Sequence, residues 1–415
     1  MESLKNKTYQ LLRRSESFFK TDMVYLAKGG FWITVGQIFI TIASFGIAVA
    51  FANLLPATTY GSYQFVLATS GILSASTLSG LNMAAVRSIA RGAEGVILSS
   101  LKTKLRWGSL GSLGSIIIAV YYFWQGNQQL GISFLIVSAF LPLFYSLGIS
   151  GSLLDGKRLF KINVRNNILN QLFAALTIIL ALLFTDNLFV LLAVYFGSWT
   201  LARLATFVFT VDKYKSNERI DPEMFSYGKH LSVMGIIGTI ADNLDKLLLF
   251  HFVGTVEVAM YSFAIAPVMQ IKGLLKNVST LALPKLSLRS KEQIQKMILG
   301  RSIKIFFLSL PIVIIYVIAA PYIYQIFFPT YLESVIYSQV FVFAILFTAS
   351  GTLSASSLES QMEVKKKYVL TFFSKISKII LMIVLIIPYG IWGIIWAITL
   401  NSIIVTIAGI WLVKK

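Results

Sequence analysis

Long apolar runs alternate with short polar segments along almost the whole chain. A helix crosses a membrane with about 17–25 predominantly apolar residues. Twelve stretches meet this length: 29–52, 62–85, 108–124, 130–152, 167–184, 188–210, 230–253, 258–284, 305–326, 335–357, 368–387 and 391–413. The pattern therefore predicts an all-α polytopic membrane protein with about twelve transmembrane helices.

The basic residues support this map, because they occupy every second connecting segment. Of 36 Lys and Arg, 30 lie in segments 1–28, 86–107, 153–166, 211–229, 285–304, 358–367 and 414–415. Segments 53–61, 125–129, 185–187, 254–257, 327–334 and 388–390 hold none. Cytoplasmic loops are enriched in Lys and Arg, so we expect both termini in the cytoplasm. Topology then explains the net charge of +19 without a nucleic-acid partner, although anionic membrane lipids should be attracted.

Composition excludes most other classes of protein. The chain of 415 residues is 56% hydrophobic and 13% charged, with a mean hydropathy of +0.77. A soluble domain is roughly 45–50% apolar and about 25% charged. The chain has no cysteine and two histidines, His230 and His251, and no phosphate-binding glycine loop of the G-x-x-x-x-G-K-[ST] type. We expect neither a metal nor a cofactor.

A weak internal repeat divides the chain into two lobes. An offset of 198 residues aligns Tyr63, Phe65, Ala68, Arg87, Arg91 and Glu94 with Tyr261, Phe263, Ala266, Lys285, Arg289 and Glu292. Six spans separate the copies, so both enter the membrane from the same side, and transporters with such repeats bind substrate between them. We place six-helix lobes at 1–210 and 230–415, around a central cavity, with a cytoplasmic linker at 211–229. Residues 1–28 are expected to form a basic amphipathic helix on the membrane surface; the alternative is a frayed tail.

Eight ionisable residues lie inside the predicted spans, where each costs about 2.5–3.5 kcal/mol at the bilayer centre. They are Arg203, Asp242, Asp245, Lys246, Lys272, Lys276, Lys375 and Lys378. Arg203, Lys276 and Lys375 are near enough to the cytoplasmic end for their side chains to reach the headgroups. Lys378 is undecided between that explanation and a functional role.

The charged residues of the seventh and eighth spans cannot all be explained by side chains that reach the headgroups. Asp242, Asp245 and Lys246 are spaced i, i+3 and i+4, so they share one helix face. They could line a cavity, or Asp242 and Lys246 could form an internal pair. Lys272 lies roughly 18 Å from the cytoplasmic end, at 1.5 Å per residue, about one turn below Asp242. It could pair with Asp242 or line the same cavity. We predict substrate contacts from Lys272, Lys276, Lys246 and Arg203, and ion coupling through Asp242 and Asp245.

Two sequence stretches resemble the polysaccharide-transport flippases. FANLLPATTYGSYQFVLATSGILSASTLSGLNMAAVRSIARG carries Tyr60, Gly61, Tyr63 and Arg87, and ADNLDKLLLFHFVGTVEVAMYSFAIAPVMQI carries Asp245, Lys246, Gly254 and Tyr261. The downstream LALPKLS, with Pro284 and Lys285, is also similar. One departure is Ala259, which stands opposite Gly61 in the second lobe.

The resemblance implies a fold and a function. The family belongs to a superfamily that also contains multidrug exporters and lipid II flippases, with two six-helix bundles around a central, typically cationic cavity. It implies a polyprenyl-pyrophosphate-linked oligosaccharide, of the O-antigen type, moved across the bacterial inner membrane for surface polysaccharide assembly. It further implies polysaccharide polymerase and chain-length partners.

Two other functions remain open. A cation-coupled multidrug exporter of the same fold favours an acidic cavity, whereas the spans hold six bases and two acids. A membrane glycan-processing enzyme usually needs a sizeable loop to hold its substrates, and here the outward loops are short. We therefore expect a transporter and not an enzyme.

The topology map predicts the side of the membrane on which each loop lies. Reporter fusions at Gly126 and Asn187 should be external, because they fall in segments without Lys or Arg. Fusions at Lys102 and Lys215 should be cytoplasmic. A reversed reporter at any one of these positions contradicts the twelve-span map.

Overall fold

The computed structural model describes residues 23–287 and 290–415, and among these it describes the side chains of 32, 34–273 and 290–415. Most of the predicted amphipathic leader, residues 1–28, lies outside this range. The described chain is helical, and it contains no strand within those ranges. This confirms the all-α class.

Fourteen α-helices follow in order along the described residues. They are α1 Met23–Leu54, α2 Ala57–Leu73, α3 Gly80–Ala90, α4 Val96–Trp124, α5 Gln128–Ser146, α6 Ser150–Gly156, α7 Phe160–Phe184, α8 Leu188–Tyr214, α9 Glu223–Phe252, α10 Thr255–Ser287, α11 Lys291–Phe327, α12 Ser334–Phe341, α13 Ala344–Ser360 and α14 Val364–Lys414. Short 3₁₀ turns occupy Ser74–Thr77, Leu147–Ile149 and Pro329–Tyr331.

The helices match the predicted spans. Eight stretches of the described chain are long and apolar enough to cross a membrane. One of them, α14, contains two predicted spans joined where Gly390 leaves the helical conformation at φ 52°. The other predicted spans coincide with α2–α3, α9 and α10. The second span is interrupted at Leu78, which adopts the left-handed conformation, and the fourth and tenth spans are likewise built from two helices each.

The repeat is visible in the element boundaries. Helix α1 ends at Leu54 and α9 at Phe252, while α2 begins at Ala57 and α10 at Thr255. Each pair is separated by the 198 residues of the sequence repeat. The first turn of each half therefore lies at the corresponding position of the repeat. The halves differ after this turn, because α2 is followed by a break whereas α10 is continuous.

The main contacts between the two halves involve five helices. Helices α2 and α3 pack against α9, and α10 packs against α1 and α2. The segment between α8 and α9 is 215–222, shorter than the predicted linker 211–229. It is fixed to the first half, because buried Glu94 pairs with Lys157 at 2.9 Å and accepts the Ser216 N–H at 2.5 Å. The lobe boundaries at 210 and 230 stay a prediction.

The end of the linker also reaches the first half. Ser88 donates a hydrogen bond of 2.7 Å to Asp221. This bond holds the pKa of the Asp221 carboxyl below its usual value, and nearby Arg91 and Arg87 act in the same direction. The first turn of α9 is therefore tied to α3 by a carboxylate that stays ionised at neutral pH.

An aromatic seal closes the space between the halves at the face with short loops. We use the term for Phe51, Tyr60 and Tyr63 of the first half with Phe263, Phe328 and Tyr331 of the second, all buried in one cluster. Tyr60 stacks on Phe263 at 4.4 Å between ring centroids, and Phe263 contacts Tyr331 at 4.3 Å. Asn53 adds a hydrogen bond of 2.9 Å to the Phe327 carbonyl.

Gly61 lets α2 approach the start of α10. A Cβ atom on Gly61 would lie 1.8 Å from the Thr255 carbonyl oxygen, which is backbone and has no rotamer by which to move away. Only a residue without a side chain fits this contact, so the seal depends on the glycine that the second half replaces with Ala259.

We expect Gly61→Ala to loosen the seal. Overpacking costs about 1–3 kcal/mol, which would shift a closed-to-open equilibrium by roughly fivefold or more. The chain has no cysteine, so a single Ser262→Cys, at a buried position on α10, reports on opening. A membrane-impermeant maleimide added at the short-loop face should label it faster when Gly61→Ala is present.

Gly46→Ala is the matched control, because a Cβ atom there meets nothing within 4 Å. It should leave the labelling rate of Ser262→Cys unchanged. Equal rates for Gly61→Ala and Gly46→Ala would show that the close approach at Thr255 does not hold the seal.

Candidate functional site

Two adjoining cavities lie between the seal and the basic face. The larger, about 600 Å³, is lined by α1, α3 to α8 and the turns between them. The smaller, about 480 Å³, is lined by α2, α5, α8 and α9. Ser74 and Tyr145 line both. Ligand pockets are typically about 300–1,000 Å³, so the pair offers room for a polar headgroup.

The larger cavity presents side-chain amides from one face of α7. Asn163, Asn166, Asn167, Asn170 and Gln171 all line it. Asn166 and Asn170 are held by Thr210 and Thr206 of α8, at 3.4 Å and 3.3 Å. An amide carries two donors and an acceptor with two lone pairs, so capacity remains for a ligand.

This amide face was missed in the sequence, although a signal was present. The residues recur at i, i+3, i+4, i+7 and i+8 in the segment NVRNNILNQ, the spacing of one helix face. Uncharged polar residues do not enter a count of ionisable residues inside the spans, and that count selected the candidates.

Arg203 lines the larger cavity, as predicted for a substrate contact. Its guanidinium donates to the Phe144 carbonyl at 2.5 Å and lies over the rings of Phe144 and Trp199, at 4.6 Å and 4.7 Å from their centroids. Aromatic faces stabilise a desolvated cation. These contacts hold Arg203 at the cavity wall and not at the headgroup level.

Asp242 lies in the smaller cavity and pairs with two lysines of α14. The carboxylate is 2.7 Å from Lys375 and 3.3 Å from Lys378. The alternative of an internal Asp242–Lys246 pair is therefore not the arrangement found. Lys375 faces Asp242 instead of extending to the headgroups, and Lys378 shares the same partner.

Lys246 and Asp245 point to different neighbours. Lys246 lines the smaller cavity and donates a bond of 2.7 Å to Gln64 across the interface between halves. Asp245 is buried and accepts the Tyr261 hydroxyl at 2.7 Å, so it ties α9 to α10. It lines neither cavity.

Lys272 lies beside the Asp242 cluster. It is close enough to experience the charges of Lys378, Asp242 and Lys375, but it forms no ion pair with a carboxylate that the structure describes. Two ammonium groups thus share one carboxylate, and a third lies near them without an ion pair among the described residues. Counted along their helices from the short-loop face, these residues lie roughly 15–25 Å deep at 1.5 Å per residue. The side chain of Lys276 is outside the described residues.

The sequence was compared with protein families and with curated proteins. A family profile described as "Polysaccharide biosynthesis protein" matches residues 26–288. No curated protein sequence matches significantly.

Solved structures share the fold. The structure titled "Lipid II flippase MurJ, inward closed conformation" is 16% identical with a TM-score of 0.68, over 92% of this chain and 87% of that chain. An inward-facing multidrug resistance MATE family transporter of the MOP superfamily is 14% identical with a TM-score of 0.65, over 92% and 97%. An outward-facing transporter of that family has a TM-score of 0.60 at 14% identity, over 94% of each chain. The polytopic helical fold predicted from the sequence is confirmed.

Lys272, Lys375 and Lys378, which we call the lysine cluster, surround Asp242. Their arrangement leads to a prediction about stability. Asp242→Asn removes the carboxylate that Lys375 and Lys378 share, so it should lower the melting temperature in detergent. The Asp242 side chain is 56% exposed, and a pair of this kind contributes about 1 kcal/mol or less. Adding Lys375→Gln should recover part of the loss, because fewer ammonium groups then repel one another.

Asp186→Asn, in an exposed loop, controls for the loss of a carboxylate as such and should not shift the melting temperature. If the double variant melts below Asp242→Asn alone, the pairing is not what stabilises this site. The proposed ion coupling by Asp242 and Asp245 stays a prediction.

Proposed function

The chain belongs to the family of polysaccharide biosynthesis proteins, and on that basis we propose that it is a flippase for a polyprenyl-pyrophosphate-linked oligosaccharide. The cargo would move from the cytoplasmic to the outer leaflet of the bacterial inner membrane, for surface polysaccharide assembly. Polysaccharide polymerase and chain-length proteins would then act on it outside.

The observation that carries this proposal is the group of lysines at mid-depth. Lys375 and Lys378 share Asp242, which lines the smaller cavity, and Lys272 lies near enough to be influenced by all three charges, so positive charge is in excess beside that cavity. A pyrophosphate brings the opposite charge. Moving an unpaired charge into hydrocarbon costs tens of kcal/mol by Born estimates, and a wet, basic passage removes most of that cost.

The amide face of α7 supports the same cargo from the other side. Sugar hydroxyls both donate and accept hydrogen bonds, as do the amides of Asn166, Asn170 and Gln171. The oligosaccharide would occupy the larger cavity, the pyrophosphate would approach the lysines, and the polyprenyl tail would stay in lipid at the gap between the halves.

The aromatic seal gives the direction of access in this conformation. With the basic face in the cytoplasm, as the positive-inside rule predicts, the cavities lie on the cytoplasmic side of Tyr60 and Phe263. Translocation would require the seal to part and the cavities to close toward the basic face behind the cargo.

A cation-coupled multidrug exporter is the competing function for this fold. It would bind cationic amphiphiles, and the lysine group repels them. Unchanged drug susceptibility on deletion and on overexpression, together with a loss of surface glycan on deletion, separates the flippase from this alternative.

The flippase proposal predicts a specific loss at Lys272. Lys272→Ala should leave membrane abundance near normal and abolish surface glycan, because the ammonium supplies a point charge for a pyrophosphate. Lys272→Arg should retain partial function. The measurements are immunoblotting of membranes and staining of surface polysaccharide in a deletion strain.

Lys229→Ala is the matched control, since Lys229 is exposed at the basic end of α9, and it should transport normally. If Lys272 served only to neutralise Asp242, Lys272→Ala with Asp242→Asn would recover export. Recovery in that double variant therefore counts against cargo contact, and persistent loss at normal abundance supports it.

A further inference from the structure

One buried cation in the larger cavity forms no ion pair with any carboxylate among the side chains that the structure describes. Lys104 of α4 is 1% exposed and lines the cavity wall. Its ammonium donates one hydrogen bond, of 3.2 Å, to the carbonyl oxygen of the Asn82 amide. The sequence placed it in a cytoplasmic segment, and none of the roles assigned so far uses it.

The surroundings of Lys104 do not supply an anion. Asp155 lines the same cavity, but its carboxylate accepts from Asn163 at 2.7 Å and forms no ion pair with any described lysine. Arg203, the other charged residue on this wall, is also a cation. Glu94, on the adjoining loop, is engaged with Lys157.

An ammonium in this position has unused binding capacity. Lysine carries three donors, and Asn82 satisfies one of them. A buried charge without a partner is costly, and an anion with hydrogen-bond acceptors relieves that cost. The site is therefore built to gain when an anion enters the cavity.

The location of Lys104 separates it from the pyrophosphate site proposed above. It lies in the first half, among the amides and hydroxyls of α3, α6, α7 and α8, whereas the lysine cluster lies between α9, α10 and α14. Most of the polar residues that line this cavity are neutral, as expected where the sugar portion of a cargo binds.

We propose that Lys104, with Asn82, forms a subsite for an acidic group on the glycan, such as the carboxylate of a uronic acid. This rests on the proposed flippase function and narrows its substrate to oligosaccharides with an anionic sugar. The amide face of α7 then holds the neutral sugars beside it, and the positive excess of the cavity serves two anionic groups of one cargo.

Binding to the purified full-length protein in lipid nanodiscs tests the subsite directly. The probes are a soluble trisaccharide with one glucuronic acid, the same trisaccharide with glucose in its place, and inorganic pyrophosphate. The acidic trisaccharide should bind about tenfold to a hundredfold more tightly than the neutral one, as expected of a hydrogen bond to a charged group. Lys104→Met should abolish this preference while leaving pyrophosphate binding unchanged.

Lys102→Met is the control, because Lys102 is exposed two residues away on the same helix, and it should keep the preference. If Lys104→Met lowers the melting temperature, Lys104→Gln, which retains an amide donor toward Asn82, replaces it. Equal binding of the two trisaccharides to the unmodified protein overturns the subsite, as does a preference that survives loss of the ammonium. Selective loss of pyrophosphate binding in Lys104→Met also overturns it, by assigning the cation to the lipid anchor.

Transport in proteoliposomes separates this inference from the function on which it rests. The substrates are polyprenyl-pyrophosphate carriers of the two trisaccharides. Faster translocation of the acidic cargo supports the subsite. Equal translocation of both overturns the subsite and leaves the flippase function standing, whereas translocation of neither overturns the flippase function itself.

Discussion

Hydrocarbon cannot solvate an ammonium group, and this constraint governs the interior of the molecule. Four described cations are supported by three different arrangements. Lys375 and Lys378 share the Asp242 carboxylate, Arg203 lies between two aromatic rings, and Lys246 donates to a neutral amide. These contacts keep the charges in place without neutralising them all, so positive charge exceeds negative charge in this part of the molecule.

The two halves share an element plan and differ in chemistry. Their first turns coincide at the 198-residue offset, and both contribute aromatic rings to the seal. The first half supplies amides and hydroxyls, together with Lys104 and Arg203, while the second supplies most of the lysines. The two halves thus present different polar groups, as the proposed cargo, with a glycan at one end and phosphates at the other, would require.

Much of the fold could be predicted from the sequence, because transmembrane helices obey a strong length and charge rule. The turns at 125–127 and 185–187 and the conformational break at Gly390 fall in predicted outward segments, each without a single Lys or Arg. The site was harder, because partners are set by packing between distant helices. The spacing of residues within α9 does not indicate that Asp242 forms its ion pair with Lys375, 133 residues away, and not with Lys246, four residues away. The role of Lys104 could not be predicted, because a basic residue in a predicted cytoplasmic segment is explained by topology alone until the structure shows that its side chain is buried.

The hydrogen bond between Lys246 and Gln64 links the smaller cavity to the aromatic seal. Gln64 also donates to the Tyr60 hydroxyl at 2.7 Å, so the chain of contacts runs from the ammonium to the aromatic seal. Parting the halves would break these contacts, and Lys246 would then need another hydrogen-bond acceptor. Under the proposed function, a sugar hydroxyl or a phosphate oxygen of the cargo in the smaller cavity takes that place, so the free energy of opening depends on what the cavity contains.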